Sequence, residues 1–288
     1  MKLSGKRIAA FKKTILDAYA HSGRSFPWRG RTAEDGSFIP PSPWGVVVSE
    51  FMLQQTQTGR VISYWERWMK KWPRPADLAA CELQTVLREW SGLGYNRRAK
   101  NLLACAAALT EQHGGEVPST VEELLALPGI GPYTAGAVAA FAFNIPSVFI
   151  ETNIRSVLIH FFFQDTSGVA DSELFPILEQ TLDRANPRLW YWALMDYGAE
   201  LKKLTRNPNR RSAHYTRQSR FEGSFRQIRG ALVKTLSAGP RPAAALRRDI
   251  ARILPGLAGT DYRRALESLE KEMFVAEEEG VYRIKNSG

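Results

Sequence analysis

A glutamate inside an apolar segment is the first feature of this 288-residue sequence that could do chemistry. The segment Trp44–Leu53 (WGVVVSEFML) is apolar except for Ser49 and Glu50. Because an ionised carboxylate is costly to bury, it must be paired or its pKa must rise. A protonated, desolvated glutamate is a good general acid near neutral pH. The alternative is a structural glutamate that is hydrogen-bonded to the backbone or paired with an arginine.

Two further polar features could act beside this glutamate. Gln54-Gln55-Thr56-Gln57 follows directly, and amide side chains can hydrogen-bond base edges or fill a gap in a base stack. The alternative for these residues is a helix end that makes local backbone bonds. A second acid, Glu151, begins a predicted helix, where it could equally serve the helix dipole.

A short glycine-containing turn lies between two predicted helices at Leu127-Pro128-Gly129-Ile130-Gly131. Two glycines two residues apart permit a tight turn with exposed amides. The backbone N–H groups and the dipole of the helix that follows favour a phosphate. Such a helix-hairpin-helix grips a DNA backbone without reading sequence, since its contacts come from the main chain. Proteins without catalytic activity also use it, so it indicates DNA binding rather than catalysis.

The positive charge of the chain is concentrated in one segment. The net charge is +10, and residues 202–229 carry nine Lys/Arg against the single acid Glu222. Such a stretch is typical of a protein that binds a polyanion, and Arg210, Arg211 and Arg217 are our candidate contacts. The alternative is a solvated linker.

Composition excludes several classes of protein. Hydrophobic residues make up 44% and charged residues 24%, which favours a globular chain over a disordered one. Two cysteines exclude a disulfide scaffold and a four-cysteine metal site, and the four histidines lack ligand spacing, so we expect no bound metal. No apolar run approaches the roughly 20 residues that span a bilayer. The N-terminal residues suggest an amphipathic helix rather than a signal peptide, so we expect a cytoplasmic protein.

The elements that must hold these residues are predicted to be mostly helical. Helical spacing of apolar residues predicts helices over 7–20, 44–54, 58–71, 83–90, 97–112, 121–126, 133–143, 153–163, 172–184 and 189–203. Ser119 and Glu122 have the spacing of a capping box. Residues 22–43 are predicted to form a loop that is disordered or functional.

The pattern changes after residue 224. Helices are predicted over 225–237, 241–254 and 260–273, and Phe274–Ile284 alternates around a turn as a hairpin does. Three helices and a terminal hairpin suggest a winged helix. The alternative is a small helical tail without a role in DNA binding.

The motifs together resemble a known family. The chain resembles the helix-hairpin-helix DNA glycosylases of the endonuclease III superfamily, most closely the adenine DNA glycosylases of the MutY type. The resemblance covers roughly residues 7–203 and rests on these stretches: Phe26-Pro27-Trp28-Arg29, Trp44–Gln57 (with SEFMLQQTQ), Gly92-Leu93-Gly94-Tyr95, Arg97–Leu102, Leu127–Ala137 (LPGIGPYTAGA), Val148–Val157 and Ala193–Ala199.

The resemblance implies a mainly α, two-lobed glycosylase fold over residues 1–223 and a winged-helix-like domain over 224–288. A six-helix lobe would span about residues 44–145, and the second lobe would combine 1–43 with 146–223.

The resemblance also implies that the enzyme flips a base out of DNA and excises it. Glu50 would protonate the base and activate the water, Glu151 would stabilise the oxocarbenium-like sugar, and Asn153 would support that region. Gln55 would wedge into the duplex where the base departs. Tyr133 occupies the position of the nucleophilic lysine in bifunctional relatives, which predicts little strand cleavage because a phenol forms no Schiff base.

Other implied roles concern the pocket and the DNA backbone. The base pocket would include Trp28, Arg29, Tyr133 and Trp192. DNA contacts would come from Gln54, Gln55, Tyr95, Asn96, Leu127, Gly129, Gly131, Arg210, Arg211 and Arg217. An alkali ion at the hairpin carbonyls is left open, and we expect no other cofactor.

The sequence departs from the family pattern at four places. Glu151 replaces the usual Asp and is one methylene longer, which a near-attack geometry should notice. The four-cysteine iron–sulfur cluster would fall after Lys202, where the sequence has no cysteine, and we expect Tyr215 and Phe221 to order this loop by packing. The C-terminal domain that recognises oxoguanine is replaced by about 65 residues. Trp192 stands where the family has Glu or Gln, and Asn96 stands where the family has a second Tyr.

We therefore predict a monofunctional DNA glycosylase of bacterial type that acts as a monomer on double-stranded DNA and is associated with the nucleoid in the cytoplasm. Its most favoured substrate is adenine opposite oxoguanine or guanine. The alternatives are a glycosylase for thymine or uracil opposite guanine or for an altered purine, and a catalytically silent protein that binds DNA lesions.

Overall fold

The computed structural model describes residues 1–218 and 220–285. Ser219, in the first predicted domain, and residues 286–288, in the second, lie outside the described residues. Within the described ranges the chain is mainly helical, as predicted. The helices are α1 (Gly5–Ser22), α2 (Pro43–Leu53), α3 (Thr58–Lys71), α4 (Pro75–Ala79), α5 (Leu83–Trp90), α6 (Arg97–Gln112), α7 (Val121–Ala126), α8 (Pro132–Phe143), α9 (Thr152–Phe162), α10 (Asp171–Thr181), α11 (Pro187–Leu204), α12 (Phe225–Ser237), α13 (Ala243–Ile253) and α14 (Gly259–Lys271). The strands are β1 (Arg31–Thr32), β2 (Phe38–Ile39), β3 (Arg241–Pro242), β4 (Val275–Glu278) and β5 (Val281–Ile284).

Two compact units divide the chain. The first combines residues 1–50 with 117–217, and the second combines 51–116 with 218–288. The predicted domains, 1–223 and 224–288, divide the chain differently and stay a prediction about functional modules. Residues 117–145, which the predicted scheme joins to the segment 44–116, belong to the first unit. One reason is that Arg188 on α11 donates to the carbonyls that end α8, at 2.6 and 2.8 Å.

Helices α8, α9 and α11 form the core of the first unit. Residues 134–142 of α8 are all buried, as expected for a helix that is apolar all round. Phe149, which precedes α9, stacks on Tyr191 of α11 with ring centroids 4.0 Å apart. Helix α1 adds Phe11, whose ring lies edge-on to Trp190 at 5.7 Å. The helix that begins with the candidate hairpin is therefore at the centre of this unit.

The second unit joins helices α3–α6 to the C-terminal elements. Trp68 of α3 lies edge-on to Trp90 of α5 at 5.3 Å in the core. Helix α12 packs on α5, where the Gln84 amide donates to the Ser237 carbonyl at 3.2 Å. Lys100 of α6 donates to the Glu272 carbonyl at 2.7 Å. The C-terminal elements thus pack directly against the segment 51–116.

The C-terminal elements have the order of a winged helix. Helices α12, α13 and α14 precede the antiparallel hairpin β4–β5, as predicted, and the short strand β3 completes a sheet of order β3-β5-β4. Strand β3 was not predicted because two residues carry no alternation of polar and apolar side chains. In the register, Tyr282 of β5 pairs with Arg241 of β3 and with Glu277 of β4.

Three local predictions are wrong or incomplete. The capping residue before α7 is Thr120, which accepts from the Glu123 amide, so the predicted Ser119–Glu122 box is out of register by one residue. The predicted loop 22–43 contains a 3-10 turn at Pro27–Arg29 and the ribbon β1–β2. Helix α4 was missed because five residues are too short to show helical periodicity. In the described ranges, none of the helices is both long and apolar enough to cross a membrane.

Candidate active site

Glu50 is buried in the first unit and is held by a phenol. Its side chain on α2 is 3% exposed, and the Tyr133 hydroxyl donates to Oε2 at 2.9 Å. The pKa of Glu50 is raised to about 7, chiefly by burial and to a smaller extent by the charge of Glu151. The hydrogen bond from Tyr133 and the charge of Arg29 act in the opposite direction. The carboxyl group is therefore substantially protonated at neutral pH, as a general acid must be.

Tyr133 reaches Glu50 from the first turn of α8. Its ring lies edge-on to Phe149 with centroids 5.7 Å apart, which fixes the direction of the hydroxyl. Burial raises the pKa of this phenol well above 10, and the charge of Glu50 acts in the same direction. The hydroxyl therefore stays protonated and acts as the donor in the hydrogen bond to Glu50.

The hairpin has the geometry that its sequence predicts. Gly129 has φ +77°, a conformation that favours glycine, and Gly131 forms the N-cap of α8 with Pro132 in the first helical position. Leu127 is buried, and its carbonyl accepts from the Ile130 amide at 3.2 Å. The start of α8 thus presents backbone N–H groups beside the residue that holds Glu50. The proposed contact with a DNA phosphate stays a prediction.

Glu151 is the N-cap of α9. Its Oε1 accepts from the backbone amides of Asn153 at 2.7 Å and Ile154 at 2.9 Å. The Asn153 side-chain amide donates to Oε2 at 3.2 Å. The Glu151 side chain therefore caps its own helix, as the helix-dipole alternative predicted. The carboxylate is thereby fixed in orientation.

Lys202 joins this group from α11. Its Nζ donates to Asn153 Oδ1 at 2.7 Å, so both ends of the Asn153 amide are engaged. Burial lowers the pKa of Lys202, while the charge of Glu151 raises it. Gly198, one turn earlier on α11, makes the approach of the two helices feasible, since a Cβ there would lie 2.4 Å from the Asn153 carbonyl oxygen.

The predicted pocket residues Trp28, Arg29 and Trp192 are all buried in the first unit. Arg29 makes a bidentate ion pair with Asp196, at 2.9 and 2.8 Å, and Arg24 bonds the same carboxylate at 2.6 Å. Burial raises the pKa of Asp196, but the hydrogen bonds and charge of Arg29 outweigh it and hold the pKa below its usual value.

Aromatic rings surround the Arg29 guanidinium. It lies 4.8 Å from the ring centroid of Phe26 and 5.5 Å from that of Trp192. Trp28 stacks on Phe26 at 5.2 Å, and Trp192 stacks on Phe141 at 6.2 Å. The structure thus brings the three predicted residues into one aromatic and cationic cluster. Their contact with a base stays a prediction.

Four residues predicted to contact DNA belong to the second unit, among them Gln55, the predicted wedge. Gln55 is exposed with φ +55°, and Tyr95 has φ +49°, so both lie in turns with left-handed backbone. Gln54 and Asn96 are partly exposed beside them in sequence. The Tyr95 hydroxyl contacts the Gln218 amide.

Arg98 connects the two turns. It is 6% exposed, and its Nη1 donates to the carbonyls of Phe51, Met52 and Gln54 at 3.0, 2.8 and 2.6 Å. Its Nη2 donates to the carbonyls of Leu93 and Gly94 at 3.2 and 3.0 Å and to the Thr56 hydroxyl at 3.0 Å. Burial lowers the pKa of Arg98 to about 10, so the guanidinium stays charged at neutral pH.

The start of the basic segment after α11 is held by hydrogen bonds to earlier parts of the first unit. Pro208 and Asn209 are buried in a 3-10 turn, and Val169 exchanges backbone bonds of 2.9 Å with Arg211 and Ala213. Tyr215 and Phe221 are 38% and 59% exposed, so the prediction that their packing orders this loop is wrong. Arg211 is partly buried and donates to the carbonyls of Phe163 and Gln164 at the end of α9. Arg210 and Arg217 are exposed.

The sequence places these residues in a known family. Residues 48–180 match the family described as HhH-GPD superfamily base excision DNA repair protein. The chain is 35% identical over 286 residues to the adenine DNA glycosylase of Mycobacterium tuberculosis, covering 91% of this chain and 88% of that protein. The chain belongs to the HhH-GPD superfamily of base excision DNA repair proteins. It is a DNA N-glycosylase, as the sequence predicted.

Other similar proteins include one further adenine DNA glycosylase sequence and two solved glycosylase structures. The chain is 38% identical to the human adenine DNA glycosylase over 196 residues, which is 67% of this chain and 36% of the human protein. A thermostable thymine-DNA glycosylase has a TM-score of 0.57 at 24% identity, covering 67% of this chain and 87% of that one. Endonuclease III trapped in a covalent intermediate with DNA gives 0.56 at 20% identity, over 69% and 88% of the two chains. The predicted fold is thereby confirmed.

Four residues that position the functional side chains within one unit or the other were not singled out from the sequence. Asp196 is the one acid in the apolar stretch of α11 (WYWALMDYGA), and this position is the signal that could have revealed it. Arg24 had no such signal. Lys202 counted only as part of the basic segment, and Arg98 lay in the matching stretch Arg97–Leu102 without a role of its own.

Proposed function

We propose that this glycosylase excises adenine mispaired with oxoguanine or guanine and leaves the DNA strand intact. The observation that carries the proposal is the buried Glu50, which has a pKa of about 7 and accepts a hydrogen bond from Tyr133. The named activity of the bacterial and human relatives supports adenine as the base.

The reaction begins with transfer of a proton from Glu50 to a ring nitrogen of the flipped purine. The protonated base is a better leaving group, so the bond between the sugar carbon and the base nitrogen breaks and its electron pair leaves with the base. Glu50, now ionised, accepts a proton from the water that attacks the sugar. The water oxygen bonds to the sugar carbon, and Glu50 returns to its protonated form.

Glu151 stabilises the positive charge that develops on the sugar. Its carboxylate is already oriented by two backbone amides and by Asn153, so little reorganisation accompanies the reaction. Tyr133 supports a monofunctional reaction, because a protonated phenol cannot form a Schiff base with the sugar.

A single departure from the family pattern favours another base as a second candidate. Trp192 stands where the family has Glu or Gln, and it lies beside the Arg29 guanidinium. An aromatic residue there could stack on thymine, uracil or an altered purine instead of reading an adenine edge.

The segment after Lys202 does not fit an iron–sulfur cluster. It supplies arginines, asparagines and one histidine, His214, where such a cluster requires thiolates. Among the described residues, groups of three or more potential metal ligands are absent. We propose that the enzyme works without a cluster, and iron analysis of the purified protein tests this.

The proposed partner is double-stranded DNA that contains a mismatch or a damaged base. DNA as the substrate follows from the family, whereas mismatch selectivity, a monomeric state and a cytoplasmic, nucleoid-associated location are proposals.

Single-turnover base release from a panel of duplexes tests the function. The panel holds adenine opposite oxoguanine or guanine, thymine or uracil opposite guanine, and common altered purines. We expect release of adenine from the first two duplexes without strand breaks before alkaline treatment. Release of another base only would favour the second candidate, and binding without release of any base would mark a silent lesion-binding protein.

A further inference from the structure

A shallow, open pocket of about 540 Å³ lies within the second unit among α13, α14 and β5. Three arginines (Arg247, Arg248 and Arg263) and two tyrosines (Tyr262 and Tyr282) provide its polar lining. The base-excision chemistry uses none of these residues.

The sequence of α13 creates this pocket. Positions 244, 247, 248 and 251 recur at the spacing that places side chains on one helix face. The outer two positions are alanines and the inner two are Arg247 and Arg248, so the arginines project beside small side chains. Tyr262, in the first turn of α14, is 9% exposed and forms part of the wall. Burial raises the pKa of Tyr262 to about 12, so its hydroxyl remains able to donate a hydrogen bond at neutral pH.

The charge of this region is segregated toward the pocket. Residues 238–285 carry nine basic and eight acidic side chains, so the region as a whole is nearly neutral. Within the described ranges, carboxylates are absent from the pocket lining, which contains three arginines. A nearly neutral region therefore presents a local charge of +3.

The four arginines of this region outside the pocket lining each have a partner: Arg264 lies 5.1 Å from the ring centroid of Phe225, and the other three are ion-paired. Arg241 and Arg252 pair with Asp249 at 3.4 and 3.7 Å, and Arg283 pairs with Glu278 at 3.0 Å. Among the described residues, ion pairs are absent at Arg247, Arg248 and Arg263. Three exposed guanidinium groups that converge without acids are suited to a polyanion.

We propose that this pocket is a second DNA-binding site, which contacts the phosphodiester backbone of a duplex. A guanidinium group can donate two parallel hydrogen bonds to the oxygens of one phosphate, and phenol hydroxyls add further donors. Helices α13 and α14 follow one another across the short turn 254–258, which is the element order of a helix-turn-helix, a motif that binds duplex DNA. The proposal requires that the protein act on DNA and is independent of which base is excised.

The salt dependence of binding to an undamaged duplex tests the proposal in the full-length chain. The test variant is Arg247→Ala/Arg248→Ala/Arg263→Ala. The matched control, Arg252→Ala/Lys271→Ala/Arg283→Ala, removes the same charge from the same region but outside the pocket lining.

The two variants have different expected outcomes. Because each phosphate contact contributes about 0.9 to the slope of log K against log salt, the pocket variant should lose about 2 to 3 from that slope. The control should lose less than about 1. Single-turnover base release at saturating enzyme should remain at the wild-type rate in both, which separates this proposal from the proposed function.

A wild-type slope in the pocket variant, or an equal loss in the control, would overturn the proposal. Thermal unfolding of both variants checks that each is folded. If the triple alanine variant is unstable, Arg247→Gln/Arg248→Gln removes two charges at exposed helix positions and should lose about 2 from the slope. Competition by a mononucleotide as effective as by the duplex would also contradict a backbone site.

Discussion

The hydrogen bond from Tyr133 to Glu50 should set the pH range over which the enzyme works. The bond favours the ionised carboxylate and so opposes burial, and the pKa of Glu50 is about 7 with this bond present. Tyr133→Phe removes this donor and keeps the ring that packs on Phe149. A hydrogen bond to a charged group is worth about 1.5 to 3 kcal/mol net, and one pKa unit corresponds to about 1.4 kcal/mol. The pKa of Glu50 should therefore rise by about 1 to 2 units.

Single-turnover base release measured across pH reports this shift. A general acid works in its protonated form, so the wild-type rate should fall as pH rises above about 7. In Tyr133→Phe the same fall should begin about 1 to 2 pH units higher. Tyr191→Phe is the control, because it also deletes a buried phenol hydroxyl, one that donates to the Ser147 carbonyl at 2.7 Å. An alkaline limb that stays in place or moves to lower pH in Tyr133→Phe would refute the reasoning.

Three further predictions concern stability and positioning. A raised pKa in the folded state gives a contribution that is favourable below the unfolded value of 4.5 and is lost as pH rises through about 7. The free energy of unfolding of Glu50→Gln should therefore be higher than that of the wild type by up to about 3 kcal/mol at pH 8, and this difference should disappear toward pH 5. An equal free energy of unfolding at pH 8 would contradict an unfavourably buried carboxylate. Arg98→Lys should lower the free energy of unfolding by about 2 kcal/mol or more, because one ammonium group cannot donate to six acceptors. Urea denaturation measures this free energy, and a wild-type value would contradict the prediction. Lys202→Met should slow single-turnover release about tenfold, since Asn153 loses the bond that orients it, with DNA affinity unchanged. Lys203→Met is the control, since Lys203 is exposed and pairs with Glu200, and it should not slow release. Equal slowing in both variants would mean that only the loss of positive charge matters, which would contradict the prediction.

The positions of the helices could be predicted because helical periodicity is a local property. The hairpin and α8 illustrate this, since the glycines, the proline at the helix start and the apolar residues that follow all lie within one short segment. The environment of Glu50 was predictable for the same reason. A helix that is apolar on every side must be buried, so a carboxyl group on it must be desolvated.

The partners of the site residues could not be predicted, because they come from distant parts of the chain. Asp196 is separated from Arg29 by 167 positions, and Lys202 from Asn153 by 49. A single sequence does not reveal which helix faces meet. Glu151 shows the same limit locally, since a carboxylate at a helix start can cap the helix, contact a substrate, or do both.

The central claim is that Glu50 delivers the proton that releases the base. The most direct test compares single-turnover base release by Glu50→Gln and by the wild type. The substrate is the duplex from which the wild-type enzyme releases a base most rapidly. The amide keeps the shape of the side chain and removes the proton donor, so release should fall at least about 10²-fold while DNA affinity changes only a few-fold. Release at a rate close to that of wild type would contradict the account.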